Sequence, residues 1–157
     1  GCSLPSYIAS NVNNDINFAL GIWLHAQQKL GTKDVPQQLS YFYQARSIEM
    51  NCLELASLGA TIANHGTSVG PSSQQVFSPD AARETIQLVR SCGMAAASRS
   101  WSSSKGIPCK SSISGGVLIL IPSVAAIAVY SPLLDSQLNS VRGFQFVSAL
   151  VEKFGPL

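Results

Sequence analysis

The stretch GGVLILIPSVAAIAVY, residues 115–130, decides the fold. It carries no charge and is almost unbroken in apolar side chains, so it reads either as a membrane-crossing helix or as a pair of buried strands. A bilayer span needs about 20 apolar residues in one helix. This run is shorter, and Pro122-Ser123 interrupts it at its centre. Val and Ile dominate its two halves, and β-branched side chains suit a pleated surface better than a helix. The reading is therefore an antiparallel hairpin, Val117 to Ile121 and Ala125 to Tyr130, joined by a tight turn, with no transmembrane segment.

Outward from the hairpin, the apolar period lengthens to that of helices. Asn13-Asn14-Asp15 offers capping side chains before Ile16, Leu20, Trp23, Leu24 and Leu30, and Gly31 is placed to stop that helix. A polar linker containing Pro36 leads to a short helix over Leu39 to Ala45. Asn51 caps a helix with Leu55, Leu58 and Ile62 on one face, ended by Asn64-His65-Gly66. After a loop from Gly66 to Gln75, Ser78-Pro79 opens a third strong helix, closed by Cys92-Gly93. Ser98 to Ser104 reads as a serine-rich loop around Trp101. A last helix, about Ser140 to Phe154, packs Val141, Phe144, Val147 and Leu150. The class is α/β: a helical region, then an antiparallel hairpin, then a C-terminal helix. Two central-type strands make a poor sheet alone, so the reading expects something further to extend it.

Composition excludes several functions. The chain has 157 residues, 46% hydrophobic and 11% charged, with a net charge of +2 and no run of basic residues. That fits one globular domain and gives no electrostatic footprint for nucleic acid. Cys2, Cys52, Cys92 and Cys109 are far apart, and only His25 and His65 could join them, so no metal site or cofactor is expected. Reduced thiols point to an intracellular reducing compartment, an organelle included. The N-terminus starts at Gly1, has no apolar signal core and carries Pro5 where a myristoylation motif needs Ser or Thr, which suggests a processed or trimmed product.

Five blocks carry a resemblance. In order and spacing, NDINFALGIWL (14–24), YFYQARSIEMNCLELASLGATIANHG (41–66), VFSPDAARETIQLVRSCGM (76–94), GIPCKSSISGGVLILIP (106–122) and AVYSPLLDSQLNSVRG (128–143) resemble the carboxy-terminal half of the serine-dependent glutaminases. The resemblance covers nearly the whole chain. It implies a partial serine β-lactamase-like fold over residues 1–157, a single region without the N-terminal half that carries the family's Ser-x-x-Lys helix and first strands. It also implies a chemistry in which a serine, relieved of its proton by a lysine or tyrosine, attacks the glutamine side-chain amide. Backbone N–H groups then hold the oxyanion.

Carried over position by position, the resemblance places Asn17 at the family's carboxylate-binding asparagine. Lys110, Ser111 and Ile113 fall at its Lys-Ser/Thr-Gly strand edge, with Ile113 supplying the oxyanion N–H. The acidic ligand for the α-ammonium is matched by Ser10. The tyrosine of the Tyr-Phe-Gln block is matched by Phe42, the tyrosine after Cys-Gly-Met by Ala95, and the strand-edge glycine by Ser112. These replacements remove a charge and the phenols.

Nothing local substitutes for the nucleophile. Ser102-Ser103-Ser104-Lys105 satisfies Ser-x-x-Lys by letter, but as part of a loop it would not place both groups on one helical face. His25 and His65 have no acid at triad-like spacing. The expectation is a non-catalytic, glutaminase-like structural or accessory subunit with other protein chains of a larger assembly as partners. Asn17, Lys110, Ser111 and Ile113 would then be vestigial substrate contacts, and glutamine binding is not expected. The alternative is the C-terminal half of an active glutaminase whose partner chain supplies the serine.

Overall fold

The computed structural model describes residues 1–12, 14–31 and 34–155, so the Asn13 part of the expected cap lies outside the described residues. The chain divides into two units, 1–50 and 51–157.

The first unit holds three helices, α1 (Leu4–Val12), α2 (Asp15–Ala26) and α3 (Val35–Arg46). α1 has no counterpart in the sequence reading. It is tied down by Tyr7 and Ser40, whose hydroxyls meet at 3.2 Å, and by an isolated bridge between Cys2 and Ile48. α2 stops at Ala26, short of the expected Gly31, because Gln28 turns into the left-handed region at φ +55°. Gln28 N–H then donates to His25 O and Lys29 N–H to Leu24 O, both at 2.9 Å, which satisfies the last carbonyls of the helix. α3 is longer than expected. Pro36 sits in its first turn, where a missing N–H costs nothing, and Asp34 accepts from Gln37 N–H at 3.0 Å. Val35 and Tyr43 are its buried side chains.

The second unit is a sheet between two helical layers. α4 (Cys52–Ala63) starts on a reciprocal cap in which Asn51 and Glu54 each bond the other's backbone N–H. α5 (Pro79–Cys92) starts at Ser78 and ends at Gly93 as read from the sequence. A 3-10 turn, Ala95–Ala97, then leads into α6 (Ser98–Ser104). The expected serine-rich loop is thus helical. Trp101 anchors it, 2% exposed, donating its indole N–H to Ile107 O at 3.0 Å and meeting the Phe144 ring edge-on at 4.6 Å.

The sheet has order β1-β2-β3, antiparallel throughout: β1 (Cys109–Ser111), β2 (Gly116–Ile121) and β3 (Ala125–Tyr130). The hairpin stands where the sequence puts it, with Ile121 opposite Ala125 and Gly116 opposite Tyr130. β1 adds a short third strand to the expected pair, with Lys110 opposite Leu118. On one face, Cys109, Val117, Ile119 and Ile121 join Met94, Ala97, Trp101, Ile107 and Val147 in the core, under α7 (Val141–Phe154). On the other face α4 lies so close that a Cβ on Gly59 would stand 2.6 Å from Leu118 Cδ1 and 2.8 Å from Ala126 Cβ. β2 is almost wholly buried, while β3 pairs on one side alone among the described residues. Among the described residues no helix is long and apolar enough to cross a membrane.

Candidate functional site

Of the residues singled out from the sequence, three belong to the second unit and gather at one sheet edge. Ser111 is buried, and its backbone N–H donates to Gly93 O at 3.0 Å, with its hydroxyl at 3.4 Å from the same oxygen. That bond docks the end of α5 against β1. The fit leaves no room for a side chain on Gly93, where a Cβ would run into the carbonyl oxygens of Cys109 and Val89. A glycine is needed here for space, since its own φ of −70° suits any residue.

Lys110 lies between two inward residues and sends its side chain to the opposite face. Its amine bonds the Ser111 carbonyl oxygen. Burial holds the Lys110 pKa below the usual lysine range, partly offset by the thiols of Cys92 and Cys109. Cys109 is fully buried, and that burial pushes its thiol up to about 12, so it stays protonated.

Ile113 is 62% exposed in the turn after β1. Around it, the N–H groups of Ser112, Ser114 and Gly115 are committed to Gly116 O, Ser112 Oγ and Ser112 O at 2.9, 3.2 and 3.0 Å. The Ile113 N–H donates to no backbone carbonyl among the described residues. Ser112, which stands at the strand-edge glycine position, shares a hydrogen bond of 2.9 Å with Ser114. Asn17 belongs to the other unit, half-buried on the first turn of α2.

The replaced positions are also placed. Ser10 is on α1 and Phe42 is exposed on α3, 5.3 Å under the Arg46 guanidinium. Tyr43, beside it, is buried with a hydroxyl that finds no partner among the described residues. Ala95 has φ +50°, a left-handed conformation that costs an alanine about 1–2 kcal/mol. Ser98 holds that turn together, accepting from Met94 N–H at 3.0 Å and donating to Ala95 O at 2.7 Å. The Met94-Ala95 turn therefore follows directly from the Gly93 contact with β1. A methyl group occupies a backbone geometry of the kind usually strained for function.

Two other candidates are settled by their contacts. Ser102 and Lys105 are at the end of a helix and not in a loop, which corrects the sequence reading, and the Lys105 amine pairs with Glu152 at 3.4 Å. His65 Nε2 lies 3.0 Å from Ser123 Oγ, a contact the sequence reading missed because it joins a helix end to the hairpin turn. Ser123 N–H donates to Ala63 O and Val124 N–H to Ile121 O, so both donors that could receive an oxyanion are already spent. This pair fastens the turn to α4. His25 is exposed near the end of α2. No group of three or more metal-ligating side chains occurs among the described residues.

A helix-backed antiparallel sheet whose edge carries Lys-Ser beside a Cys-Gly-Met turn defines the class: a serine β-lactamase-like α/β fold. The glutaminase of Bacillus subtilis, solved as a covalent complex with 5-oxo-L-norleucine, superposes on 99% of the chain with a TM-score of 0.87 at 23% identity. Residues 5–156 match the glutaminase family model. The liver-isoform mitochondrial glutaminase of Mus musculus is 34% identical over 157 residues, and the glutaminase of Photorhabdus laumondii 34% over 122 residues, which is 78% of this chain. The chain belongs to the glutaminase family and corresponds to a carboxy-terminal half. It spans 26% of the mouse protein, 39% of the Photorhabdus protein and 55% of the Bacillus structure.

Proposed function

We propose that residues 1–157 form a single glutaminase-like carboxy-terminal region that does not turn over glutamine and serves as a structural or accessory subunit of a larger protein assembly. The observation that carries the reading is Ala95. It occupies the position that the family resemblance gives to a tyrosine, and it keeps a left-handed backbone without any phenol to move a proton. A serine reaching this edge from any other segment or chain would still meet a methyl group there. Ser10 and Phe42, at the positions of the acidic ligand and the other tyrosine, point the same way. On this reading Asn17 in the first unit, and Lys110, Ser111 and Ile113 in the second, are each vestigial substrate contacts.

The accessory role is supported by surface left for others to cover. Ile16 and Trp23 on α2 are 85% and 59% exposed, and the outer edge of β3 carries neither charge nor proline to blunt it. The test is ammonia release from glutamine by the chain purified with whatever polypeptides accompany it. No turnover is expected, for Ala95→Tyr as well as for the unchanged chain, because three positions must be restored together. Robust turnover by the unchanged chain overturns the reading and favours half of an active glutaminase whose serine comes from a partner.

A further inference from the structure

The bond that fastens the hairpin turn to α4 also sets a nucleophile against a base. We propose that Ser123 and His65 form a catalytic pair that hydrolyses small activated esters, with the acyl group seated in the cavity beside them. His65 Nε2 lies 3.0 Å from Ser123 Oγ, within the reach that proton transfer needs. Both residues are exposed, so a substrate can reach them. Both also hold left-handed backbones, at φ +55° and +62°, a costly conformation for any residue with a side chain and one that gathers at functional sites. Neither residue belongs to the Lys110-Ser111 edge, so the proposal is independent of whether that edge ever bound glutamine.

The surrounding backbone holds the pair in place. Ser123 N–H donates to Ala63 O at 2.8 Å, and the Gln75 side-chain amide donates to His65 O at 2.9 Å. Gly66, next to His65, packs so closely on Phe77 that a Cβ would run into the Phe77 carbonyl oxygen. A cavity of about 170 Å³ is lined by Ser123 and walled by Ala60, Ala63, Val69, Val124 and Ala125, with Asn64 the other polar side chain in its lining. A cavity of about 150 Å³ with aliphatic walls holds a molecule the size of benzene. This one therefore has room for a short acyl chain and not for a long one.

The chemistry balances with water as the only other reactant. With the imidazole proton on Nδ1, Nε2 accepts the Ser123 proton as Oγ attacks the ester carbonyl. The bond to the leaving oxygen breaks, and the leaving group takes the proton from Nε2. Water then attacks the acyl-Ser123 ester, giving a proton to Nε2. The bond to Oγ breaks, Oγ recovers the proton, and a carboxylic acid departs. The Ser123 and Val124 N–H groups are spent on Ala63 O and Ile121 O, so the oxyanion goes without backbone donors. That limits the pair to esters whose leaving group departs readily and excludes amides.

The experiment uses the intact chain with p-nitrophenyl acetate, after the exposed thiols of Cys2, Cys52 and Cys92 are blocked with N-ethylmaleimide so that they contribute nothing. Release of p-nitrophenolate is read by absorbance, and the acetylated residue by mass spectrometry of acid-quenched samples. Ser123 is expected to carry the acetyl group, and p-nitrophenyl octanoate to be cleaved more slowly than the acetate. His65→Asn and Ser123→Gly, both compatible with a left-handed backbone, should lower the release by roughly tenfold, short of the roughly hundredfold that a fully oriented base supplies. The unchanged chain gives a check that needs no variant to fold: phenylmethanesulfonyl fluoride should sulfonylate Ser123 in the native chain and not in the urea-unfolded one. No label on Ser123 in the native chain, or a release unmoved by His65→Asn, overturns the pair. Octanoate cleaved as fast as acetate overturns the seat assigned to the acyl group.

Discussion

Gln28 and Leu138 hold left-handed backbones at φ +55° and +64° with full side chains. Each is exposed, so replacing it with glycine removes strain of about 1–2 kcal/mol while adding about 0.5–1 kcal/mol of chain entropy to the unfolded state. Gln28→Gly and Leu138→Gly are each expected to raise stability by about 0.5–1 kcal/mol, read by urea unfolding. Cys109 gives a pH signature. Its folded pKa of about 12 lies above the ordinary 9.0, so the folded chain keeps a proton that the unfolded chain releases. Its contribution is whole below pH 9 and is lost as pH rises toward 12. Unfolding followed from pH 8 to 11 should show stability falling, with a shallower fall in Cys109→Val; equal slopes would count against the burial argument. None of these positions was legible from the sequence. Left-handed Gln and Leu carry no letter signature, and the Cys109 shift exists because β1 closes over it.

At the scale of elements, legibility followed the strength of the local signal. The hairpin, α4, α5 and α7 stand where caps and apolar periods put them, each with a side chain accepting a first-turn N–H or a tight turn at its end. α1 was missed although Leu4, Ile8 and Val12 recur at helical spacing along it, and it buries none of them. α6 was missed because serine is a weak helix former, and the burial of Trp101 overrode that preference. β1 is three residues long, too short for a period, and is visible only through its pairing with β2. The Gly93 contact that assembles the candidate site links residues 18 apart and was equally invisible. Two substitutions test these dockings. Gly59→Ala gains helix propensity of about 1 kcal/mol but drives a methyl into Ala126 on a strand that cannot move aside alone. A net loss of about 1–2 kcal/mol is expected. Gly93→Ala meets two backbone oxygens, and its larger loss should appear with faster amide exchange along β1 than along β3.

The exposed surface of the whole chain argues for assembly more directly than the missing chemistry does. α2 is apolar on nearly all sides and buries only Gly21, a pattern proper to a helix covered by other protein. β3 offers six residues, Ala125–Tyr130, with their outer hydrogen-bonding edge unpaired among the described residues. Charged residues are too few, at 11%, to keep such surface solvated. The chain prepared alone should therefore self-associate in gel filtration with light scattering. Because Ile16 and Trp23 are exposed, replacing both with lysine removes apolar surface without opening the core. The double variant is expected to shift the chain toward monomer with its melting temperature within a few degrees of the original, since substitutions at such positions usually move stability by no more than about 0.5 kcal/mol. If this surface is where partners sit, the same variant expressed in cells should lose the polypeptides that accompany the unchanged chain. An unchanged chain that is monomeric alone, or a double variant that keeps all its companions, would place the assembly surface elsewhere.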